Sequence, residues 1–311
     1  MNRIDRLYAY LTSNVLLFFS CAGIWGSTWL VIKYQLDDTD PVASVFYRFL
    51  ISTLVLFTFA KLSNRSLSYP KKFHYIFFLQ GACNFSINYI ITYWAEQYAT
   101  SATIAIAFTL LVPYNIMGMK FFFKRKISPR VYLGAICGVI GILFIFGHEL
   151  TTLNTASAKL KGLSLGLLAT FFASAGNMFS YKNHLNKIPV TIANAWGMFY
   201  GTIVTLVIAL ILQKPLHISI TPSYWLSLLY LSVFGTVLAF GAYLTLVGRI
   251  GAERAGYTSI LSPVIALSLS ILFEGFKLTP LISIGLLCCL VGTLITLFAN
   301  KTASNILPNS K

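Results

Sequence analysis

The chain has 311 residues, of which 57% are hydrophobic and only 10% are charged. Soluble domains carry about a quarter of their residues as charges, so this composition excludes an ordinary soluble domain and predicts a polytopic membrane protein. The formal charge of +15 could suggest a nucleic-acid partner, so the placement of the charges has to be considered before their number.

Apolar runs of about 20 residues, the length that crosses roughly 30 Å of hydrocarbon, recur along the chain. There are ten of them, at 13–34, 41–61, 73–95, 100–123, 131–147, 162–182, 190–213, 224–247, 254–273 and 280–299. The longest connection, about 148–161, is too short to form a domain. We therefore predict an all-α membrane protein with ten transmembrane helices and no soluble domain.

Most of the basic residues fall on one side of the predicted membrane arrangement. Clusters such as Lys61–Lys72 and Lys120–Arg130 fall on the same side as both termini, whereas the other side holds few basic residues and most of the acidic ones. The positive-inside rule then puts both termini in the cytoplasm. We interpret KFFFKRKISPR (120–130) as a topology anchor, with anionic lipid contact as a secondary role. The bilayer is therefore the expected partner, and nucleic acid is not.

An internal repeat explains two prolines that lie inside apolar runs. Shifting the chain by 150 residues places Pro113 on Pro263 and Gly26 on Gly176. Each copy holds five apolar runs, an odd number, so the second copy must enter the membrane from the opposite side. The sequence thus predicts two inverted five-helix repeats, 13–147 and 162–299, and such repeats are typical of transporters with a site near the midplane. We expect both prolines to mark this cavity, with packing kinks as the alternative.

Several motifs occur in a fixed order along these runs. GIWGSTWLVIK (23–33) is followed by YRFLIST (47–53), and the segment from Val233 to Ile295 runs VFGTVLAFGAYLTLVGRIGAERAGYTSILSPVIALSLSILFEGFKLTPLISIGLLCCLVGTLI. Over about residues 14–299 the chain resembles the EamA-type family of the drug/metabolite transporter superfamily. It departs from the family pattern in two places. Glu274 has Arg125 as its counterpart in the first half, and ASAGNMFSYKN (173–183) lacks the tryptophans of the first motif.

The resemblance implies a secondary transporter in a bacterial inner membrane that works by alternating access. Members of such a family export amino acids, amines, nucleobases or related metabolites, and a few exchange or import them. We therefore expect export of an amino acid or a related small metabolite. The alternative is an uptake or exchange carrier for a nitrogen-containing metabolite such as S-adenosylmethionine.

Arg48 is the one charge well inside a predicted span, where insertion scales give a cost of about 2.5–3.5 kcal/mol. It is expected to face the bundle interior or water. Its guanidinium can hold a substrate carboxylate or phosphate. Equally, it can tie spans together through backbone carbonyls or shape an outer gate.

Other candidate substrate contacts are polar or aromatic residues in the interior of the predicted spans. Asn84 and Asn88 share a helix face, and their amides suit a zwitterionic or heterocyclic ligand, although interhelical hydrogen bonds explain them equally well. The remaining candidates are Trp25, Thr109, Asn177, Trp196, Tyr200, Tyr243 and Tyr257. The five aromatic rings could stack on a flat group or hold an amine by cation–π attraction, and ordinary helix packing is the alternative.

A membrane-embedded enzyme is the competing class. It would need converging nucleophiles, bases or metal ligands, whereas the four histidines lie at span ends or in loops, and there is no H-E-x-x-H, G-x-S-x-G or P-loop element. The five cysteines show no metal or disulfide spacing. We therefore expect no enzyme activity, cofactor or metal. The small-xxx-small pairs Gly134/Gly138 and Gly197/Gly201 are expected to pack helices within the chain, and they leave monomer and homodimer both open.

Overall fold

The computed structural model describes residues 13–36, 39–99, 104, 107–151, 158–273 and 279–297. Within these ranges the chain is helical, with short turns between helices and no strand. The predicted all-α fold class is therefore confirmed for the described residues. Each predicted apolar run overlaps helical residues of the structure.

In the part of the chain that the structure describes, the first half has the helices α1 (Asn14–Lys33), α2 (Pro41–Leu62), α3 (Lys71–Ala82), α4 (Asn88–Glu96), α5 (Leu111–Phe123) and α6 (Pro129–Thr151). The second half has α7 (Ala158–Leu185), α8 (Val190–Ile211), α9 (Pro222–Ser232), α10 (Ala239–Ile250), α11 (Ala252–Ala255), α12 (Thr258–Phe273) and α13 (Pro280–Leu297). Four helical stretches of the described chain are long and apolar enough to cross a membrane: Pro41–Leu62, Leu160–Leu185, Val190–Ile211 and Pro222–Ile250.

Local sequence signals set several helix boundaries. The side chain of Asp40 accepts a hydrogen bond of 2.8 Å from the Val42 amide, which caps α2, and Pro41 occupies the first helical position, where its missing N–H costs nothing. The Ser13 hydroxyl caps α1 in the same way. At the other end of α5, Lys124 has a φ of 51°, a left-handed conformation that ends the helix.

Two π-helical segments interrupt the long apolar helices. Cys83–Ile87 joins α3 to α4, and Val233–Leu238 joins α9 to α10. Their first residues lie 150 positions apart, the same offset that relates Pro113 to Pro263. π-Helical turns are rare and are frequent at functional sites because they displace side chains from the regular helical face. Both segments lie beside the central cavity described below.

Glycines allow α6 and α13 to touch backbone to backbone. A Cβ atom added to Gly134 would lie 2.6 Å from the carbonyl oxygen of Gly292, and one added to Gly141 would lie 2.7 Å from that of Gly285. A low residue number on one helix thus meets a high number on the other, so α6 and α13 run antiparallel. Only glycine permits this approach, because any side chain would collide with the facing backbone.

The glycines of α8 make a second close contact. A Cβ at Gly201 would lie 3.0 Å from the Gly81 carbonyl oxygen of α3, and Gly197 packs on the ring of Phe85. The expectation that the small-xxx-small pairs pack helices within the chain is confirmed for these contacts.

Candidate functional site

A buried cavity of about 90 Å³ lies at the centre of the described helices. This is room for several water molecules or a small organic group. Its lining comes from both parts of the chain: Trp25, Thr28, Trp29, Ile32, Arg48, Asn84, Asn88, Tyr89, Thr92, Phe108 and Leu111 from the first, and Ala173, Asn177, Phe240, Tyr243, Ser259, Ser262 and Pro263 from the second. Seven of the twelve predicted contacts therefore meet at this cavity: Trp25, Arg48, Asn84, Asn88, Asn177, Tyr243 and Pro263.

Arg48 of α2 is the charged group of this lining, and it is only 1% exposed. Its Nε donates to the Thr236 hydroxyl at 2.8 Å, in the second π-helical segment, and its Nη1 donates to the Tyr93 hydroxyl at 3.3 Å. The guanidinium carbon lies 4.6 Å from the centre of the Tyr89 ring. Arg48 thus ties helices together, as one interpretation expected, but through hydroxyl groups rather than backbone carbonyls.

The two asparagines predicted to share a face both line the cavity, although a π-helical turn separates them. The Asn88 side-chain oxygen accepts from the Thr92 hydroxyl at 3.4 Å. The Asn84 amide nitrogen is buried without a hydrogen-bond partner among the described residues. A Cβ at Gly176 of α7 would fall within 2.3 Å of the Asn84 side chain, so this glycine leaves the space that Asn84 occupies.

Asn177 of α7 connects the cavity, through hydrogen bonds, with Asn115 and α11. Its amide nitrogen donates to the Tyr243 hydroxyl at 2.7 Å and to the Asn115 side-chain oxygen at 3.3 Å. Asn115 in turn donates to the Ala252 carbonyl at 2.9 Å. One chain of hydrogen bonds therefore runs from the cavity to α11 and joins the two parts of the protein.

Aromatic rings form a second, apolar side of the cavity. The Trp25 ring lies 5.0 Å from that of Tyr243 and 5.1 Å from that of Phe240, and its Nε1 donates to the Gly235 carbonyl at 3.2 Å. Trp29, one helical turn further along, packs on Phe108 at 5.8 Å. This wall can accept a flat or apolar group.

The two prolines are placed differently. Pro263 lies inside α12 and lines the cavity, with Ser259 one turn before it. Pro113 does not line the cavity. It lies in the first turn of α5, which begins at Leu111, where a missing N–H costs little. Thr109, just before α5, is buried but also does not line the cavity.

The other three predicted aromatic contacts lie away from the cavity. Trp196 and Tyr200 of α8 pack around His74, whose Nδ1 lies 3.0 Å from the Tyr200 hydroxyl, because this face of α8 points to α3. Tyr257 is buried between α11 and α12 and donates to the Val131 carbonyl of α6. The predicted box of five rings is therefore reduced at the cavity to Trp25 and Tyr243.

An ion pair lies beyond the Asn115 end of the hydrogen-bond chain. Arg125, just after α5, places its Nε 3.3 Å from a carboxylate oxygen of Glu253 in α11, and its Nη2 donates to the Ile250 carbonyl at 3.3 Å. Burial raises the pKa of the Glu253 carboxyl above its ordinary value, and the charge of Arg125 opposes that rise. Glu274, the acid expected to correspond to Arg125, lies outside the described residues.

Sequence reasoning missed several lining residues. Trp29 and Thr92 each stand four positions after a predicted contact, at Trp25 and Asn88, and Ser262 stands directly before Pro263. Helical spacing from those predicted residues could have found the first two, since side chains one turn apart share a face. Phe240, three positions before Tyr243 in α10, could have been found in the same way.

Comparison with known proteins gives one family and several relatives. The model of the EamA-like transporter family matches the chain twice, at residues 12–147 and 160–298. The chain is 27% identical to an Escherichia coli protein named as a probable amino-acid metabolite efflux pump, over 88% of this chain and 91% of that protein. A Salmonella typhimurium protein of the same name is 24% identical over the same shares. The Bacillus subtilis transporter YoaV is 27% identical, over 86% of this chain and 91% of its own.

A solved crystal structure shares the fold with a TM-score of 0.75 at 16% identity, over 91% of this chain and 95% of that chain. Identity at this level bears on the fold alone. The repeated family match, which covers most of the sequence, bears on the class of protein, and that class is a transporter rather than an enzyme. The chain belongs to the EamA-like transporter family.

Proposed function

We propose that the protein is a secondary transporter that exports an amino acid or a related small metabolite across a bacterial inner membrane by alternating access. The observation that carries the proposal is the central cavity, whose lining comes from both parts of the chain. Transporter sites built from two repeats lie where the repeats meet. The names of the Escherichia coli and Salmonella typhimurium relatives support an amino-acid metabolite as the class of substrate.

In this proposal the chain crosses the membrane ten times as two inverted repeats. The antiparallel contact of α6 with α13 supports the inversion, because these helices are the last of their respective repeats. The π-helical segments, 150 residues apart, support the equivalence of the halves. Basic residues between α5 and α6 support an orientation with α11 and both termini on the cytoplasmic side.

Alternating access requires contacts that close one end of the cavity at a time. On the proposed cytoplasmic side, Arg125 pairs with Glu253 and Asn115 binds the Ala252 carbonyl. Towards the outer side, the Tyr47 hydroxyl donates to the Leu216 carbonyl at 2.7 Å, and the Ser44 hydroxyl lies 3.3 Å from the hydroxyl of Tyr224. Rocking of the two halves would break one set while the other holds, so that a bound solute meets each side in turn.

The test begins with a thermal-shift screen of purified protein against amino acids, polyamines, nucleobases and S-adenosylmethionine. A ligand at a hundred times its dissociation constant stabilises by about 2.7 kcal/mol, which is enough to move a melting curve. Compounds that shift the curve are then followed as radiolabelled solutes in proteoliposomes. We expect saturable, counterflow-competent movement of an amino-acid type solute.

Two glycine variants make the transport assay specific to the cavity. Gly176→Leu places a side chain where Asn84 lies and should stop transport, whereas Gly241→Leu adds one where nothing lies within 4 Å of the new Cβ. Flux that does not saturate would contradict a carrier. Hits confined to S-adenosylmethionine would replace the amino-acid export proposal by the exchange carrier.

A further inference from the structure

The charge of the described cavity lining is positive and has no negative charge to balance it. Among the described lining residues Arg48 carries a positive charge, and there is no aspartate, glutamate, lysine or histidine. No carboxylate of the described chain lies within ion-pair distance of Arg48. A cation in a low-dielectric site strongly favours a compensating anion, so the lining lacks one negative group.

The guanidinium also has hydrogen-bonding capacity to spare. An arginine has five N–H donors, and described partners occupy one on Nε and one on Nη1 of Arg48. The other donors belong to the fork formed by its two terminal nitrogens. A planar fork of this kind binds a carboxylate through two parallel hydrogen bonds.

Asn84 adds a second, independent donor. Its amide nitrogen is buried and has no hydrogen-bond partner among the described residues, although the side chain lines the cavity at 1% exposure. Buried polar groups in folded proteins are nearly always hydrogen-bonded, so an exception within a cavity points to a missing ligand. Asn177, also in the lining, shows the usual situation, because its amide nitrogen has two partners.

Ser262 of α12 adds a third group of the same kind. Its hydroxyl is buried without a described partner, and its side chain also lines the cavity. Ser259, one turn earlier in the chain, bonds the Gly256 carbonyl at 2.7 Å instead. Arg48, Asn84 and Ser262 come from different helices, and together they leave several hydrogen-bond donors unused around one small space.

We infer that the transported solute carries a carboxylate, which Arg48 and Asn84 bind with Ser262 as an accessory donor, while the Trp25–Phe240 wall holds its apolar part. This inference rests on the proposed transport function and narrows its substrate class. It favours amino acids and small carboxylic acids over amines that lack a carboxylate, because a solute bearing only a positive charge would meet Arg48 unpaired.

The test uses two series of solutes in which one charged group is removed at a time. The phenylalanine series is phenylalanine, phenylalaninamide, phenethylamine and 3-phenylpropionate, and the leucine series is leucine, leucinamide, 3-methylbutylamine and 4-methylpentanoate. Binding to the purified full-length protein is measured by calorimetry, and each compound then competes for counterflow in proteoliposomes. We expect the amides and amines to bind at least about tenfold more weakly than the parent amino acids, the effect of losing one charge-assisted contact.

Three variants assign the donors. Asn84→Ala removes the unpartnered donor and should weaken binding of the acids by about tenfold without lowering the melting temperature. Asn84→Asp keeps the shape, places a negative charge opposite the carboxylate and should abolish acid binding. Asn194→Ala is the control, since Asn194 is equally buried but accepts a 3.1 Å hydrogen bond from Gln80 away from the cavity. It should lower the melting temperature and leave affinity unchanged.

The outcomes separate this inference from the transport proposal. Saturable counterflow in which amines or amides compete as well as the acids would retain the transporter and overturn the carboxylate. Unchanged acid affinity in Asn84→Ala and Asn84→Asp would overturn the assigned donors, and stronger competition by phenyl phosphate than by 3-phenylpropionate would assign the site to phosphate instead. Folded protein that neither binds nor moves any compound would overturn both proposals.

Discussion

Arg125 and Glu253, which lie 128 positions apart, form an ion pair of 3.3 Å between the two parts of the chain matched by the family model. The pair stands beside the Asn115–Ala252 hydrogen bond, so a charged and a neutral contact join the two parts of the chain at the same place. Both contacts join one half to the other. They therefore stabilise the arrangement in which the halves meet here, and they break if the halves separate.

Removing Arg125 should destabilise this arrangement. Glu253 is 2% exposed, whereas the Arg125 side chain is 20% exposed, so we expect Arg125→Ala to cost between about 1 and 3 kcal/mol, less than for a fully buried pair. Unfolding of the purified protein measures the loss. The double variant Arg125→Ala/Glu253→Gln should recover part of it, because no buried charge is then left alone; strict additivity of the two single effects would mean that the pair is not coupled.

The accessibility of residues near Glu253 to a labelling reagent should rise with pH. Its carboxyl has a pKa above the ordinary value of 4.5 while buried, so the closed arrangement holds a proton that the exposed carboxyl would release. The closed state is therefore favoured at low pH and loses that advantage as pH rises through the raised pKa. The charged groups that act on the carboxyl are Arg125 and Arg254, and Tyr181 accepts a hydrogen bond from Arg125.

The pH effect can be followed by maleimide labelling of Ala255→Cys, which replaces a buried residue of α11, in a background without native cysteines. The labelling rate is divided by that of Ser66→Cys, an exposed site, to remove the pH dependence of the thiol chemistry itself. Glu253→Gln should flatten the ratio. A ratio that rises equally with and without Glu253 would assign the effect to another group.

The glycine contact between α6 and α13 should tolerate no side chain. Gly134→Ala would put a Cβ 2.6 Å from the Gly292 carbonyl oxygen, and overpacking of this kind costs about 1–3 kcal/mol. Gly23→Ala is the matched control, because nothing lies within 4 Å of its Cβ. There the better helix propensity of alanine should stabilise the protein by up to about 1 kcal/mol. Equal melting temperatures for the two variants would show that the helices can separate without loss.

The two prolines should differ in function. Pro263→Ala restores a backbone donor inside α12 beside the cavity, so we expect a changed transport rate. Pro113→Ala changes only the first turn of α5 and should leave transport as it is. Initial rates in proteoliposomes, normalised to the amount of folded protein, make the comparison. The reverse pattern would place the moving helix in the first half.

Much of the fold could be predicted from the sequence because a membrane helix needs a long apolar run, and such runs are visible in one dimension. Trp25, Asn84, Asn177 and Tyr243 were accessible to the same reasoning, since a polar or amphipathic residue in the middle of a span needs a partner in the interior. The sequence therefore predicts well which polar and aromatic residues lie in the interior of the helix bundle.

The direction in which a side chain points around its helix axis was harder to predict. Trp196 and Tyr200 have a suitable sequence setting, yet the face of α8 that carries them meets α3 and His74 instead of the cavity. The π-helical turns shift the faces that follow them, and no residue type marks such a turn in advance. Pro113 likewise does not line the cavity, and its position in the first turn of α5 depends on where tertiary packing lets that helix begin.

The glycine contacts between α6 and α13 are reciprocal. With the offset of 151 residues that applies in this region, Gly134 corresponds to Gly285 and Gly141 to Gly292, and Gly134 touches Gly292 as Gly141 touches Gly285. An interface in which each surface meets its own counterpart is isologous, the kind formed by two identical subunits around a two-fold axis. Under the proposed inverted-repeat topology, two separate five-helix chains inserted in opposite directions would make this contact as a homodimer. Fusion of two gene copies would then turn a subunit interface into an internal one and free each half to diverge. At the offset of 150 residues, Arg48 corresponds to Met198 and Asn84 to Phe234.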